Sequence, residues 1–296
     1  MPDAPEGADA GVPAVWDALG LPGLADVHVH FLPEPIMDRV WAHFAAAGPL
    51  IGRSWPIRYR WDDKQRVAHL RAMGVRHFTA LPYAHRPGVA EYLNEWAATF
   101  ALRTPGCLSS ATFYPEPEAA DYVASRIEAG TQIFKVHIQV GDFDPRDPLL
   151  DPVWGALADS GRPVVVHAGS GPVPNAHTGP GPVAEVLARH PRLTAVIAHM
   201  GAPEYAEFLA LAESYERVHL DTTMAFTAFF EAMAPYPRET LPRLADLGEK
   251  VLLGSDFPNI PYAYVDQLTA LTDLGLGDDW LRGVFWHNAV RLLSLR

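Results

Sequence analysis

Residues 24–34 read "LADVHVHFLPE". The run opens as an apolar strand, sets His28 and His30 two residues apart, and stops at Pro33. Side chains of a strand alternate between its faces, so both imidazoles point the same way. A strand entering a packed core has little use for that arrangement, because every buried polar group there needs a partner. The stretch therefore reads as a strand whose C-terminal end opens onto a site, with the proline marking the change from strand to loop.

The pattern recurs along the chain. Further β-type runs lie at 75–83, 107–114, 131–138, 163–169, 193–199, 217–223 and 250–256, which makes eight with 24–30. Between them, segments such as "VAEVLARH" (183–190) and "EYAEFLALAESY" (204–215) repeat apolar residues at helical spacing. Strand and helix in alternation predict an α/β fold with a parallel sheet, and eight such units in about 250 residues predict a single (β/α)8 TIM barrel. A doubly wound open sheet would carry a Gly-rich phosphate loop after its first strand, where this chain has "FLPEPIMDRV". The stretch 48–61, "GPLIGRSWPIRYRW", breaks the alternation and predicts an insertion after strand 1, lying over the top of the barrel. Residues 1–20 read as a flexible N-terminal extension and 21–296 as the barrel domain.

Composition narrows the partners. With 296 residues, 49% hydrophobic and 20% charged, the chain is that of a globular enzyme. A formal net charge of -12 disfavours nucleic acid and anionic membrane surfaces, which call for basic patches, and leaves a small-molecule substrate. The lone Cys107 rules out an intrachain disulfide and a thiolate zinc site. The first 20 residues lack a basic n-region and an apolar h-region, and no 18-residue apolar run follows, so a cytoplasmic protein is expected.

Polar residues close several of the apolar runs: His167 ends "PVVVH", His199 ends "AVIAH" and Asp256 ends "VLLGSD". Strand ends converge at the C-terminal face of a barrel, so these residues become neighbours of His28 and His30. Imidazole nitrogens and a carboxylate oxygen are donors that zinc accepts at about 2.0–2.2 Å, and a catalytic site keeps one position for water. His28, His30, His167 and Asp256 can make that set. A bound ion lowers the pKa of its water to about 7. His199 is then assigned as the unligated base, a role in which Asp256 can also take part.

These motifs, with "AHMG", "HLDTT" and the closing "WHNAVRLL", resemble the amidohydrolase superfamily over residues 24–293. The branch they are most similar to includes aminocarboxymuconate semialdehyde decarboxylase and related metal-dependent hydrolases. The resemblance implies one divalent ion, zinc first and manganese, iron or cobalt as alternatives, held by His28, His30, His167 and Asp256, with His199 beside the open position. Binuclear members of the superfamily bridge two metals through a carbamylated lysine on strand 4, where this chain has Lys135 with His137 on the same face. The branch resembled implies no such bridge, and Lys135 and His137 are expected to bind substrate or support the ligands. Hydrolysis of a small amide, lactone or ester is the leading reading. Non-oxidative decarboxylation of a small cyclic or unsaturated carboxylic acid is the alternative that the same ligands allow.

Tyr83, His85 and Arg86 follow strand 2, and His177 lies in the loop after strand 5, so all four are placed on the catalytic face. In the insertion, Arg53, Arg58 and Arg60 are interleaved with Trp55, Tyr59 and Trp61. Arg58 is a candidate clamp for a substrate carboxylate. The same composition suits a subunit contact, and a homo-oligomer, a dimer, is expected. His43, His69 and His190 fall on helical segments as exposed or core-edge residues. Asn288 is expected to cap the last helix.

Overall fold

The run "VVVH" forms strand Val164–His167, buried throughout, and shows why the parallel sheet reads as continuous apolar sequence: helices cover one face and the barrel interior the other. In the computed structural model, which describes residues 7–295, the strands are β1 (Leu24–Asp26), β2 (Val75–Thr79), β3 (Cys107–Leu108), β4 (Ser110–Thr112), β5 (Ile133–His137), β6 (Val164–His167), β7 (Ala195–Ile197), β8 (Val218–Asp221) and β9 (Val251–Leu252). All neighbours pair in parallel, as a ladder β1-β2-β3 and a ladder β4-β5-β6-β7-β8-β9. β3 and β4 are two pieces of one strand position, so the positions number eight. Backbone hydrogen bonds from Val27 N to Leu253 O (2.9 Å) and from His30 N to Phe257 O (2.8 Å) join the first position to the last. The fold is an α/β TIM barrel.

The ladders are shorter than the apolar runs. β1 ends at Asp26 because the chain beyond it also bonds to the segment after β9, with Asp256 N donating to His28 O at 2.9 Å. His28, His30 and Asp256 thus stand on extended chain just past their strands, held by these cross-links. Beneath them, Ala25, Leu108, Ile133, Val165, Val196 and Leu252 form one cluster with Ala289 and Leu293 of the last helix. Asn288, expected as a cap, is instead buried within a helical turn, and its amide donates to Gly248 O and Val251 O, both at 2.7 Å. No described helix is long and apolar enough to cross a membrane.

Two segments depart from a plain barrel. Residues 7–20 are packed, where a flexible extension was expected: a 3-10 turn, Gly7–Gly11, leads into the helix Val12–Ala18. Buried Asp9 accepts from Tyr59 Oη (2.6 Å) and Val265 N (3.1 Å) and meets His69 Nε2 (2.9 Å), while Trp16 Nε1 donates to Met73 O (2.9 Å). A carboxylate with three partners, on the insertion (Tyr59), the following helix (His69) and the helix after β9 (Val265), fixes the segment. Residues 1–6 lie outside the described residues.

The second segment is the insertion after β1. It comprises the helix Glu34–Ala46, the turn Gly48–Ile51 and an extended run in which Trp55, Ile57 and Tyr59 are buried while Pro56, Arg58 and Arg60 are exposed. The Trp41 and Trp55 indoles both donate to Asn259, to its side chain at 3.1 Å and to its carbonyl at 2.7 Å, which pegs the insertion to the loop after β9.

Candidate active site

His28 Nδ1 lies 2.8 Å from Asp221 Oδ2 and His30 Nδ1 lies 2.8 Å from the Leu81 carbonyl oxygen. Both partners can only accept, so each Nδ1 carries the proton and each Nε2 is a bare lone pair. The two Nε2 atoms face Asp256 Oδ1, at 3.8 Å from His28 and 3.0 Å from His30. One donor atom from each of His28, His30 and Asp256 lies within 4.8 Å of the others, and all three residues are buried. Two acceptors 3.0 Å apart repel unless a cation stands between them. The residues present therefore fit a divalent metal, with tautomers already set for it.

Electrostatics around the trio agree with this. Burial drives the His28 imidazole well below its ordinary pKa, and the neighbouring Lys135 adds to the effect. Burial would raise the Asp256 carboxyl, but the adjacent His30, His28 and Lys135 outweigh it and hold its pKa below the ordinary range. A neutral His28 beside an ionised carboxylate is in the protonation state that a metal requires. Lys135, wholly buried on β5, sets its Nζ 3.2 Å from His28 Nε2. Burial pushes its pKa down to about 8, with Asp221 and Asp256 opposing.

Register explains the neighbouring histidines. β5 and β6 pair His137 with His167, and the two rings stack with centroids 3.8 Å apart. His167 Nε2 lies 3.2 Å from the Gly171 carbonyl, while its Nδ1 is buried without a partner. His167 stands outside the group of three close donors and meets His199 edge to face at 4.7 Å between centroids. His199 follows β7 in a left-handed conformation (φ 53°), which a residue with a side chain adopts only under constraint. Asp221 supplies one constraint, accepting from His199 N at 2.9 Å. The His199 ring is 5.2 Å from that of His28, and its Nδ1 too is buried and unpartnered. Burial first, then the neighbouring His28, lowers the His199 pKa well below its ordinary value, which favours the neutral ring.

A cavity of about 700 Å³ opens above this floor, and Tyr83, His85, His137, His167 and His199 line it with the three close donors. Three predicted substrate contacts, Arg58, His177 and Lys135, are not brought there. Arg58 points to solvent because the alternation of the insertion buries Trp55, Ile57 and Tyr59 instead, and Arg58 is not among the lining residues. His177 lies off the cavity wall with its Nδ1 3.9 Å from Asp144, and Asn175 of the same loop lines the cavity in its stead. Lys135 sits under His28 rather than on the cavity surface. His43 is exposed on a helix, as expected, and also lines the cavity with Arg39 and Phe44. The residue that sequence reasoning missed is Asp221, which holds both His28 and His199. Its signal was a carboxylate closing the apolar strand in "RVHLDTT".

The arrangement defines an α/β-barrel enzyme with a candidate metal centre at the C-terminal ends of its strands. A family model described as amidohydrolase matches residues 25–295, and the chain belongs to that family. Among curated proteins none matches by sequence. Solved structures share the fold at low identity. The uncharacterised TIM-barrel protein Bb4693 of Bordetella bronchiseptica superposes with a TM-score of 0.73 at 18% identity, covering 92% of this chain and 99% of that one. A variant of 5-carboxyvanillate decarboxylase LigW2 of Novosphingobium aromaticivorans, solved with manganese and 3-methoxy-4-hydroxy-5-nitrobenzoic acid, gives 0.61 at 16%, covering 99% and 100%. The IDCase of Metarhizium anisopliae in apo form gives 0.63 at 15%, covering 94% and 98%.

Proposed function

We propose that the protein is a metal-dependent hydrolase acting on the carbonyl of an amide, lactone or ester. The observation that carries this reading is the pairing of three lone-pair donors, His28, His30 and Asp256, with a neutral, unpartnered imidazole, His199, beside them. When bound, a divalent ion supplies Lewis acidity, polarising the carbonyl and making water acidic enough to attack near neutral pH. His199 takes the proton of the attacking water and returns it to the leaving nitrogen or oxygen. Asp221 holds His199 by its backbone and His28 by its ring, so base and ligand keep one geometry. Zinc suits these donors, and manganese, iron and cobalt are compatible with them.

A second reading is non-oxidative decarboxylation of a cyclic or unsaturated carboxylic acid. It is favoured by several 5-carboxyvanillate decarboxylase structures among the structural neighbours, some of them solved with manganese. Against it stands the placement of the one lining arginine, Arg39, on the exposed insertion helix rather than on the floor.

The test uses enzyme loaded with zinc or manganese and a panel of lactones, aryl esters, anilides and aromatic acids, with hydrolysis product and CO2 measured in parallel. Hydrolysis without CO2 is expected. CO2 from any acid, with no hydrolysis across the panel, would replace the first reading by the second. His199→Ala is expected to retain its metal and to slow turnover by roughly 10²–10⁴-fold. A metal-free His199→Ala protein would show that His199 is a ligand and not the base.

A further inference from the structure

The floor of the cavity is polar, but most of its wall is not. The helix Glu34–Ala46 presents Ile36, Arg39, Val40, His43 and Phe44 to the cavity, a spacing of 3, 1, 3 and 1 that defines one helical face. Leu50 and Ile51 continue this wall. Met37 of this helix is buried in a small core cluster; Ile36 and Val40 pack against that cluster, and Phe44 and Ile51 against the main core, while their remaining surface lines the cavity. Leu50 is 63% exposed, an apolar surface with no protein partner among the described residues.

Size and charge constrain what lies there. A volume near 700 Å³ corresponds to about twenty water-sized units, far more than the reacting carbonyl group needs. The arginine of the wall, Arg39, stands on the insertion helix, and His43 and His85 line the wall on that helix and on the loop after β2. Of the other insertion arginines, Arg53 is engaged with the Phe229 ring and carbonyl and Arg60 with the Trp41 carbonyl, and Arg58 is exposed off the cavity; Arg39 lines the cavity, is exposed and enters no such pair among the described residues. His85 senses this charge: after burial, Arg86 and Arg39 lower its pKa.

We propose that the substrate is a drug-sized carbonyl compound with an extended apolar body and an anionic group remote from the reacting carbonyl. The body lies along Val40, Phe44, Leu50 and Ile51, and the anion meets Arg39. This rests on the reading that the reacting carbonyl sits at the floor.

The test reads binding, not turnover. Metal-loaded full-length protein is titrated calorimetrically with the dicarboxylic acid monoamides adipamate, suberamate and sebacamate, and with the neutral diamide sebacamide. Each methylene buried against the apolar wall is expected to tighten binding by up to about fourfold, so sebacamate binds at least roughly tenfold tighter than adipamate. Sebacamide is expected to bind several-fold more weakly than sebacamate. Arg39→Gln abolishes the difference between acid and diamide but keeps the dependence on length. Leu50→Asp weakens sebacamate and leaves adipamate unchanged. Affinities independent of both length and charge, or unaltered in both variants, overturn the proposal. Length and charge dependence in a protein that hydrolyses no member of the panel would sink the hydrolase reading and leave this inference standing.

Discussion

The floor and the roof of the cavity are built on opposite principles. On the floor, the Nδ1 of His28 and that of His30 each have one acceptor, and Asp221 receives from both His28 and the His199 backbone. The roof, formed by Glu34–Ala46 and Gly48–Ile51, is attached through a few pegs: Trp41 and Trp55 on Asn259, and the Arg66 guanidinium 4.9 Å from the Phe31 ring and 5.3 Å from that of Trp41. Its cavity side is apolar and offers few fixed donors. The contrast teaches that the chemistry is set by strand ends, where hydrogen bonds leave one arrangement, and that the choice of substrate is left to a segment able to change without disturbing it.

This division breaks most visibly at the floor. His28→Ala removes a close donor and leaves Asp221 and Lys135 without its ring, so bound metal measured by atomic emission should fall toward zero and turnover with it. Asp221→Asn keeps the shape but exchanges a carboxylate acceptor for an amide. Metal affinity measured by chelator competition should drop by roughly 10–100-fold, as loss of a partner behind a ligating histidine generally does. Were Asp221→Asn to bind metal as the parent does, the floor would not be the rigid unit described above.

The N-terminal clasp tests the support of the insertion. Asp9→Ala leaves Tyr59, His69 and Val265 N without an acceptor, at a cost of roughly 1–3 kcal/mol in urea unfolding. Burial pulls the Asp9 carboxyl up, yet its hydrogen bonds with His69, Tyr59 and Val265 N outweigh that and hold its pKa below the ordinary value. A depressed carboxyl stabilises the fold above the ordinary carboxylate range, and this contribution is lost as pH falls through the folded value. The stability gap between parent and Asp9→Asn should therefore narrow on acidification. A gap that widened instead would contradict the assigned partners. The smallest effect belongs to the roof: Leu50→Asp should alter stability by no more than about 0.5 kcal/mol and leave metal affinity unchanged.

Much of the floor was legible beforehand because strand periodicity and strand ends are local properties. Two histidines at i and i+2, and polar residues closing apolar runs, place side chains at a barrel mouth whatever the loops do. Asp221 escaped notice although its strand was recognised, because a carboxylate behind a ligand makes no pattern with it along the chain: His28 and Asp221 are 193 residues apart. Arg58 was misplaced for a related reason. Alternation in the insertion was visible, but which of its two faces packs on the barrel depends on what that face meets, and Tyr59 meets Asp9 and Phe257.

From its own order of residues, then, the chain settles the barrel, the strand ends and the residue types gathered at the mouth, since these follow from alternation, helical spacing and the convergence of parallel strands. Tertiary structure alone decided which donors stand close enough to share an ion, which nitrogen of His28 and of His30 meets an acceptor, and that one face of the helix Glu34–Ala46 lines a cavity. Those outcomes depend on contacts between segments far apart in sequence, where a shift of an ångström or a half-turn of a helix changes the partner, and no local pattern encodes it.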